Sequence, residues 1–238
     1  MDHEYTFSVC SLVRDMARYD NLLTSFAEFG FTTENSEFLV ADNRARNEFD
    51  GYNWHKRLYG ECRGKYIIYC HEDIVLIDHG FDRLVEALEE LEQHDPRWLV
   101  AGVAGCAWRQ DNGQSRHQIL RITDKYGKDR RHGEMPGRVE SLDECFIVTK
   151  RESPVFSSYD LSGFHYYGAD LCSMAELAGG SAYAIDFHLR HDGNAARGKS
   201  FRQCRKAFLG KYSKIYPGRK LFCTTGEVQI PGGWYDIT

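Results

Sequence analysis

Short apolar runs alternate with amphipathic stretches through the first 108 residues. Runs at 5–13, 38–41, 66–70 and 98–101 predict four β-strands, and the third has almost no polar face. Apolar residues at three- and four-residue spacing predict a helix that stops at Gly30, another that begins after a cap at Asp78, and a shorter one at 53–61. Strands alternating with helices predict an α/β fold with a mostly parallel central sheet and helices on both faces.

The second half of the chain has a weaker pattern. Residues 109–138 hold eight Lys/Arg against four Asp/Glu with almost no periodicity, which predicts loops or a short hairpin. A strand at 144–149, a helix at 169–178, a strand at 181–187 and a basic amphipathic helix at 201–212 follow, before a tail or lid at 224–238. We expect a single domain over 1–238, whose pattern changes between a first half at 1–108 and a second half at 109–238.

Composition limits the kinds of binding partner and the cellular location that we expect. The net charge of −5 argues against a nucleic-acid partner, so any anionic ligand must be bound by a local site. None of the eight cysteines is spaced as in a zinc knuckle or redox motif, which favours reduced, buried thiols in a cytoplasmic protein. We expect neither a signal peptide nor a transmembrane segment, because the longest mostly apolar run, 98–108, is far shorter than the roughly 20 residues that span a bilayer. Peripheral membrane contact stays open.

Polar residues follow each of the first four predicted strands. They lie at 11–15, 42–43 and 71–73, and a glycine-containing segment lies at 102–105. Ligands of open parallel sheets bind beyond the carboxyl ends of the strands, so these segments should converge on one crevice. The segment after the first strand contains no glycine, and there is no Walker lysine loop, so a bound diphosphate would need another device, such as a metal on acidic residues.

The triplet His71-Glu72-Asp73 is the sharpest of these candidates. Three ionisable residues directly follow a buried strand, where they cost stability unless a metal or a solvated cleft compensates. Mg²⁺ and Mn²⁺ commonly bridge protein carboxylates to phosphates. The alternative is that the strand simply becomes polar as it reaches solvent, with Asp73 capping a turn.

Other candidates are each open to two interpretations. Asp42-Asn43 could accept hydrogen bonds from a ribose or form an Asx turn. Asp170 lies in the first turn of a helix, where it could be a general base or compensate the helix dipole. His191 could complete a metal site, although a lone histidine is more often not a ligand. Arg197 and Lys199 could neutralise a diphosphate or belong to a solvated surface.

The order of these features resembles the GT-A glycosyltransferases, especially the bacterial family-2-like enzymes. The matching stretches are 7–15, 38–43, Asn53 with 64–74, 139–151 and 164–179. The resemblance implies a nucleotide-diphosphosugar donor, with a UDP-sugar expected, a hydroxyl acceptor, and Mn²⁺ or Mg²⁺ as cofactor. It also implies that 1–108 is the nucleotide-binding half and that 109–238 is the acceptor-binding, catalytic half.

The resemblance also implies roles for individual residues. Asp73 matches the last acid of the family's D-x-D metal motif, whereas His71 replaces the first acid, which is a departure from the pattern. His191 matches a late histidine that completes the metal site in some members, and Asp170 matches the catalytic base of inverting members. The remaining assignments are Asp42 and Asn43 with Ser11, Leu12 and Val13 for the nucleotide, and Asp143 and Gly105 for the donor or acceptor sugar.

Two other functions fit the same sequence. A non-catalytic nucleotide-sugar-binding protein would keep the crevice without turnover, and the replacement by His71 keeps this alternative open. A metal-dependent nucleotidyltransferase would use a similar sheet, but such enzymes usually carry a glycine-rich, basic loop after the first strand.

Overall fold

The computed structural model describes residues 3–111, 114–193 and 198–232, with the backbone alone at 108–111 and 114–117. Its elements in chain order are β1 (Tyr5–Val13), α1 (Met16–Glu28), β2 (Ser36–Asp42), α2 (Trp54–Tyr59), β3 (Gly64–His71), β4 (Ile74–Leu76), α3 (Phe81–His94), β5 (Trp98–Gly102), β6 (Ala104–Asp111), β7 (Gln114–Asp124), β8 (Asp129–His132), β9 (Gly137–Val139), β10 (Ser141–Leu142), β11 (Phe146–Lys150), α4 (Tyr167–Leu177), β12 (Ser181–Ala184), β13 (Leu189–His191), α5 (Lys199–Tyr212), β14 (Lys220–Cys223) and β15 (Gly226–Gln229).

The central sheet is mixed but mostly parallel. Within the described residues its order is β2-β1-β3-β11-β5-β12-β9. β1 pairs in parallel with β2 and β3, and β5 pairs in parallel with β12, whereas β11 is antiparallel to both β3 and β5 and β9 is antiparallel to β12. Five of the seven strands therefore run in one direction, as the sequence predicts, and β11 and β9 run in the other.

The middle strands are buried on both faces. In β3, Ile67 and Tyr69 point into one hydrophobic cluster, and Ile68 and Cys70 into another on the opposite face. This alternation explains the run without a polar face, because helices and loops cover both sides of the sheet. Helix α1 begins at Asp15, whose side chain accepts hydrogen bonds from two backbone amides of the first turn, and Gly30 follows its end with φ +90°.

The polar excursion at 109–138 is more ordered than the sequence suggests. Strands β6 and β7 form a long antiparallel hairpin in a second sheet, whose order is β10-β6-β7-β13-β4 in the described part of the chain, with β8 added to β7. The missing periodicity has a physical reason, since the four residues of β8 are all exposed. β13 pairs antiparallel with β4 and sets His191 opposite Ile74, next to the end of β3.

Three smaller expectations have clear outcomes. The predicted cap at Asp78 is wrong, because α3 begins after Gly80 and the Asp78 carboxylate instead contacts Nδ1 of His188 at 2.7 Å. A side chain at Gly80 would meet the carbonyl oxygen of Phe29 at 2.3 Å, so glycine is needed where the start of α3 packs against the end of α1.

All eight cysteines are free and buried, which confirms the prediction of reduced thiols. The predicted tail contains β15, and 233–238 lie outside the described residues. No helix in the described ranges combines the length and apolarity needed to cross a bilayer.

Candidate metal and donor site

The ends of β1, β2 and β3 meet at one edge of the central sheet. In the strand register Val13 lies beside Asp42, and Leu12 lies beside His71. The polar segments that follow these strands are therefore neighbours, as the rule for parallel sheets predicts. The crevice edge is built by chain segments that are far apart in sequence.

His71, Asp73 and His191 form the polar centre of this edge. Their potential ligand atoms all lie within 4.8 Å of one another. Oδ1 of Asp73 is 3.3 Å from Nε2 of His191 and 4.0 Å from Nδ1 of His71. The side chains are 12%, 21% and 38% exposed for Asp73, His191 and His71, so the cluster is sheltered but open to a ligand.

Two atoms of this cluster are buried without a hydrogen-bond partner. They are Oδ1 of Asp73 and Nε2 of His191, which face each other without adequate hydrogen-bond geometry. Buried polar atoms are nearly always satisfied, so such a pair calls for an explanation such as an ion. A Cβ atom at Gly193 would lie 2.4 Å from Nε2 of His191, so the glycine leaves space in front of that nitrogen. One carboxylate and two imidazoles therefore fit a divalent cation.

The charges of the cluster depend on one another. Burial alone would raise the pKa of Asp73, but the contact with His191 and the positive charges of His71 and Arg18 outweigh it and lower this pKa. Burial and the neighbouring His191 lower the pKa of His71, which favours the neutral imidazole that binds metals. Burial also opposes the charged form of His191, yet the contact with Asp73 and the nearby Asp143 raise its pKa.

A second group of potential ligand atoms comprises Asp143, Cys145 and His191. Oδ1 of Asp143 accepts a hydrogen bond from the backbone amide of Cys145 at 3.1 Å. Burial raises the pKa of the fully buried Cys145 thiol well above its usual value, so a thiolate is disfavoured there. This group is the poorer ligand set, and Asp143 is better described as an acid beside the cluster.

Arg18 and Glu72 connect helix α1 to the site. The guanidinium of Arg18 lies 3.2 Å from Oδ2 of Asp73. Oε2 of Glu72 accepts hydrogen bonds from the backbone amides of Arg14 and Asp15 at the start of α1, so Glu72 holds the helix in place and is not free to bind a metal. No pattern in the sequence points to Arg18, because its contact with Asp73 forms only in the folded chain.

Tyr167 and Glu144 border the other side of the cluster. The hydroxyl of Tyr167 lies 2.9 Å from Nε2 of His71 and donates to the backbone oxygen of Glu144 at 3.3 Å. The carboxylate of Glu144 faces the amino end of α4, and burial with the nearby Asp143 raises its pKa to about 8. Glu144 also lines a small cavity with His165, and no spacing signal in the sequence distinguished it from Asp143.

The structure places Asp170, the predicted general base, in an enclosed hydrogen-bond network. Its side chain is fully buried and accepts hydrogen bonds from the amide and the hydroxyl of Ser158, both at 2.6 Å, and from the hydroxyl of Tyr212 at 2.7 Å. Both carboxylate oxygens of Asp170 are thus engaged within the protein. The network fixes the loop before α4 and helix α5 against α4.

Four other residues predicted to contact the nucleotide or the sugar are engaged within the protein. Ser11 and Val13 are fully buried, and the hydroxyl of Ser11 lies 3.4 Å from Sγ of Cys70. The amide of Asn43 is occupied by the backbone of Phe49, which closes the loop after β2. Close packing requires a glycine at position 105, since a Cβ atom there would lie 2.7 Å from a methyl group of Val139.

The remaining predicted donor residues stay at the surface of the crevice or beyond it. Leu12 is partly exposed. Asp42 is exposed at the end of β2, where its hydrogen bonds to Arg44 lower its pKa to about 2 and complete an Asx turn. Lys199 is exposed at the first position of α5, and Arg197 lies outside the described residues.

Comparison with solved structures identifies the fold. Residues 1–349 of S. aureus TarS match with a TM-score of 0.56 and 10% identity, over 87% of this chain and 65% of that one. The mannosyltransferase PcManGT from Pyrobaculum calidifontis, solved with GDP-Man and Mn²⁺, matches with a TM-score of 0.56 and 12% identity, over 90% of this chain and 65% of that one. The chain thus spans slightly less than two thirds of both, and the predicted GT-A fold is confirmed.

Sequence comparison gives a much nearer relative. No family model matches the chain. The protein named ATP synthase subunits region ORF 6 from Fuscovulum blasticum is 56% identical over 230 residues, which cover 97% of this chain and 92% of that protein. At this identity and coverage the two share a family, and the chain belongs to the family of ATP synthase subunits region ORF 6.

Proposed function

We propose that the protein is a metal-dependent glycosyltransferase that moves a sugar from a nucleotide-diphosphate donor, a UDP-sugar, to a hydroxyl acceptor. The observation that carries the proposal is the pair of unsatisfied atoms on Asp73 and His191, which converge beside His71 at the ligand-binding edge of a GT-A sheet. The solved relatives support it, since TarS was crystallised with UDP and with UDP-GlcNAc, and PcManGT with GDP-Man and Mn²⁺.

The metal would be held by Asp73, His71 and His191. Two imidazoles and one carboxylate suit Mn²⁺ better than Mg²⁺, which prefers oxygen ligands and near-ideal octahedral geometry. When bound, the cation supplies positive charge that stabilises the departing diphosphate. Nε2 of His71 donates a hydrogen bond to the Tyr167 hydroxyl, which orients the imidazole and leaves Nδ1 for the metal, the usual role of a partner behind a ligand.

The donor would lie across the ends of β1 and β2. Leu12 offers apolar surface to the base, and Asp42 lies at the position for the ribose. Arg18 contacts the proposed metal ligand Asp73, so we assign it, with Lys199 and Arg197, to the negative charge of the diphosphate.

Glu144 is the carboxyl group best placed to accept a proton from the acceptor. It lines a small cavity, and its backbone oxygen is linked through the Tyr167 hydroxyl to His71, whereas Asp170 is enclosed. The acceptor hydroxyl gives its proton to the Glu144 carboxylate while its oxygen bonds to the anomeric carbon of the sugar. The bond from that carbon to the phosphate oxygen breaks, and the nucleoside diphosphate leaves with the electron pair. Asp143, on the same loop, is assigned to hydroxyls of the sugar.

A thermal-shift screen of nucleotide sugars, with and without Mn²⁺, tests the binding part of the proposal. A ligand at about 100 times its Kd stabilises the folded state by about 2.7 kcal/mol, which raises the Tm of a domain of this size by about 5–10 °C. We expect the rise to need both Mn²⁺ and the nucleotide, to disappear in Asp73→Asn, and to persist in Asp20→Asn, which removes an exposed acid from α1.

Turnover separates an enzyme from a binding protein of the same fold. Release of UDP from the stabilising donor should be measured, since transferases slowly use water as an acceptor. Release that depends on Asp73 supports the enzyme. A donor that binds tightly but is never cleaved, with any hydroxyl acceptor, would establish the non-catalytic alternative.

A further inference from the structure

Helix α5 and the turn after it are far more basic than the rest of the protein. Residues 199–220 contain eight Lys/Arg and no Asp/Glu, in a chain whose net charge is −5. The helix buries Cys204, Phe208 and Tyr212 against the core, so its apolar stripe is already covered. The opposite side is therefore free to meet a partner, and its composition indicates the charge of that partner.

Arg202, Lys206 and Lys214 define this outer side, which we term the basic face. All three side chains are exposed. In the described part of the chain no carboxylate lies within ion-pair distance of them, in contrast to Lys211, which pairs with Asp160. Arg202 and Lys206 are four residues apart and so lie one turn above the other. Lys214 shares the negative charge of Asp160, since its charge, like that of Lys211, lowers the pKa of that carboxyl. Arg202 and Lys206 are neighbouring cations that repel each other, and an anionic surface removes that cost.

Apolar side chains lie at one end of the basic face. Ile215 follows Lys214 and is 38% exposed, and Tyr159, next to Asp160, is 86% exposed with Nζ of Lys56 3.8 Å from its ring centre. The ion pair between Lys211 and Asp160 brings the Tyr159 loop to α5. Exposed tyrosine and isoleucine beside lysines suit the boundary between lipid headgroups and acyl chains.

We propose that the basic face, with Tyr159 and Ile215 at its end, docks the protein on the surface of an anionic lipid bilayer. Contact on one side of a straight helix about 21 Å long fits a flat surface, whereas duplex nucleic acid is contacted in its grooves. The bilayer would be touched and not crossed. This inference does not depend on the proposed transferase activity.

Vesicle flotation of the full chain tests the proposal. We expect binding to vesicles of phosphatidylcholine with about 30 mol% phosphatidylglycerol at about 0.1 M salt, none to phosphatidylcholine alone, and release at about 0.5 M salt. Each basic residue near such a surface contributes about a fivefold change in partitioning. The variant Arg202→Gln/Lys206→Gln/Lys214→Gln should therefore bind at least about 20-fold more weakly.

A matched control separates the basic face from net charge. Arg46→Gln/Arg97→Gln/Lys128→Gln removes three other exposed cations, so both variants change the net charge from −5 to −8. The control should bind within about twofold of the wild type. If the basic-face variant melts at a lower temperature, the three single substitutions replace it, each with an expected loss of about fivefold.

Three results would overturn the proposal. They are no binding of the wild type to anionic vesicles, equal losses in the two triple variants, and binding of single-stranded RNA through the basic face without binding of vesicles. The last result would assign the surface to a nucleic acid instead.

Discussion

Replacing Asp170 by asparagine distinguishes a structural carboxylate from a catalytic one. Oδ2 of Asp170 accepts from the amide of Ser158, while Oδ1 accepts from the hydroxyls of Ser158 and Tyr212. An asparagine can place its oxygen toward the Ser158 amide and its NH₂ toward the hydroxyls, which can turn and accept. The variant therefore keeps its hydrogen bonds but loses their ionic component.

The expected loss of stability follows from these three hydrogen bonds to the carboxylate. Hydrogen bonds to a charged group contribute about 1.5–3 kcal/mol, against about 1 kcal/mol for neutral ones. The carboxylate itself is penalised by burial, which raises the pKa of Asp170 and offsets part of the gain. We expect Asp170→Asn to lower the free energy of unfolding by about 1–3 kcal/mol. Asp170→Ala, which leaves the Ser158 amide unsatisfied beside a cavity, should cost about 3–5 kcal/mol.

Urea denaturation followed by tryptophan fluorescence measures this loss. In the same preparation, the Tm rise with UDP and Mn²⁺ and the rate of donor cleavage should match the wild type, because Asp170 touches no part of the crevice. Asp20→Asn serves as the control for loss of one acid. An Asp170→Asn protein of unchanged stability that cleaves the donor 100-fold more slowly would refute our reading and restore Asp170 as the base.

Four further predictions concern other parts of the chain. Asn43→Ala should lower the free energy of unfolding by about 1–3 kcal/mol in urea melts, because it leaves backbone groups of Phe49 unpaired, without weakening donor binding; weaker binding at full stability would mean that Asn43 contacts the nucleotide. Donor cleavage should rise with pH through about 8 as Glu144 loses its proton, and Glu144→Gln should be slow and flat with pH; a profile unchanged in the variant would exclude Glu144 as the base. Because the pKa of Glu144 is raised in the folded state, its contribution to stability is present below its ordinary pKa and is lost as pH rises through about 8. In urea melts, the free energy of unfolding of Glu144→Gln minus that of the wild type should therefore increase as pH rises from the ordinary pKa to about 8. The eight buried thiols should react with a thiol reagent only as fast as the protein unfolds; rapid labelling of the native state would contradict their burial.

The fold was predictable where burial imposes a period on the chain. Strands β1, β3 and β5 and helices α1 and α3 have apolar residues on the sides that the structure buries, so their positions follow from the pattern. The second sheet was not predictable in this way. Its strand β8 is exposed throughout, and β13 is only three residues long, too short to carry a period.

The site was predictable where it follows strand ends. The meeting of Asp42 with β1 and of His71 with β1 follows from parallel pairing alone. Whether an individual side chain is enclosed or borders the crevice could not be predicted, because this depends on contacts with residues far along the chain. Asp170 and Glu144 are both acids near the start of α4, and only the three-dimensional contacts show that one is enclosed and the other borders a cavity.

The pairing of β13 with β4 has a consequence for how the two sheets behave together. It places His191 beside Asp73, although the proposed metal ligands His71 and His191 are 120 positions apart in the chain (191 − 71). A cation held by both histidines would crosslink the two ends of a long loop. A crosslink that closes a loop of this length lowers the conformational entropy of the unfolded chain, which stabilises the folded state by about 4–5 kcal/mol. Separation of β13 from β4 would move His191 away from Asp73 and release the cation, so the rate of metal exchange should measure how often this strand pair opens. A bound cation would in turn make local opening of the second sheet less favourable.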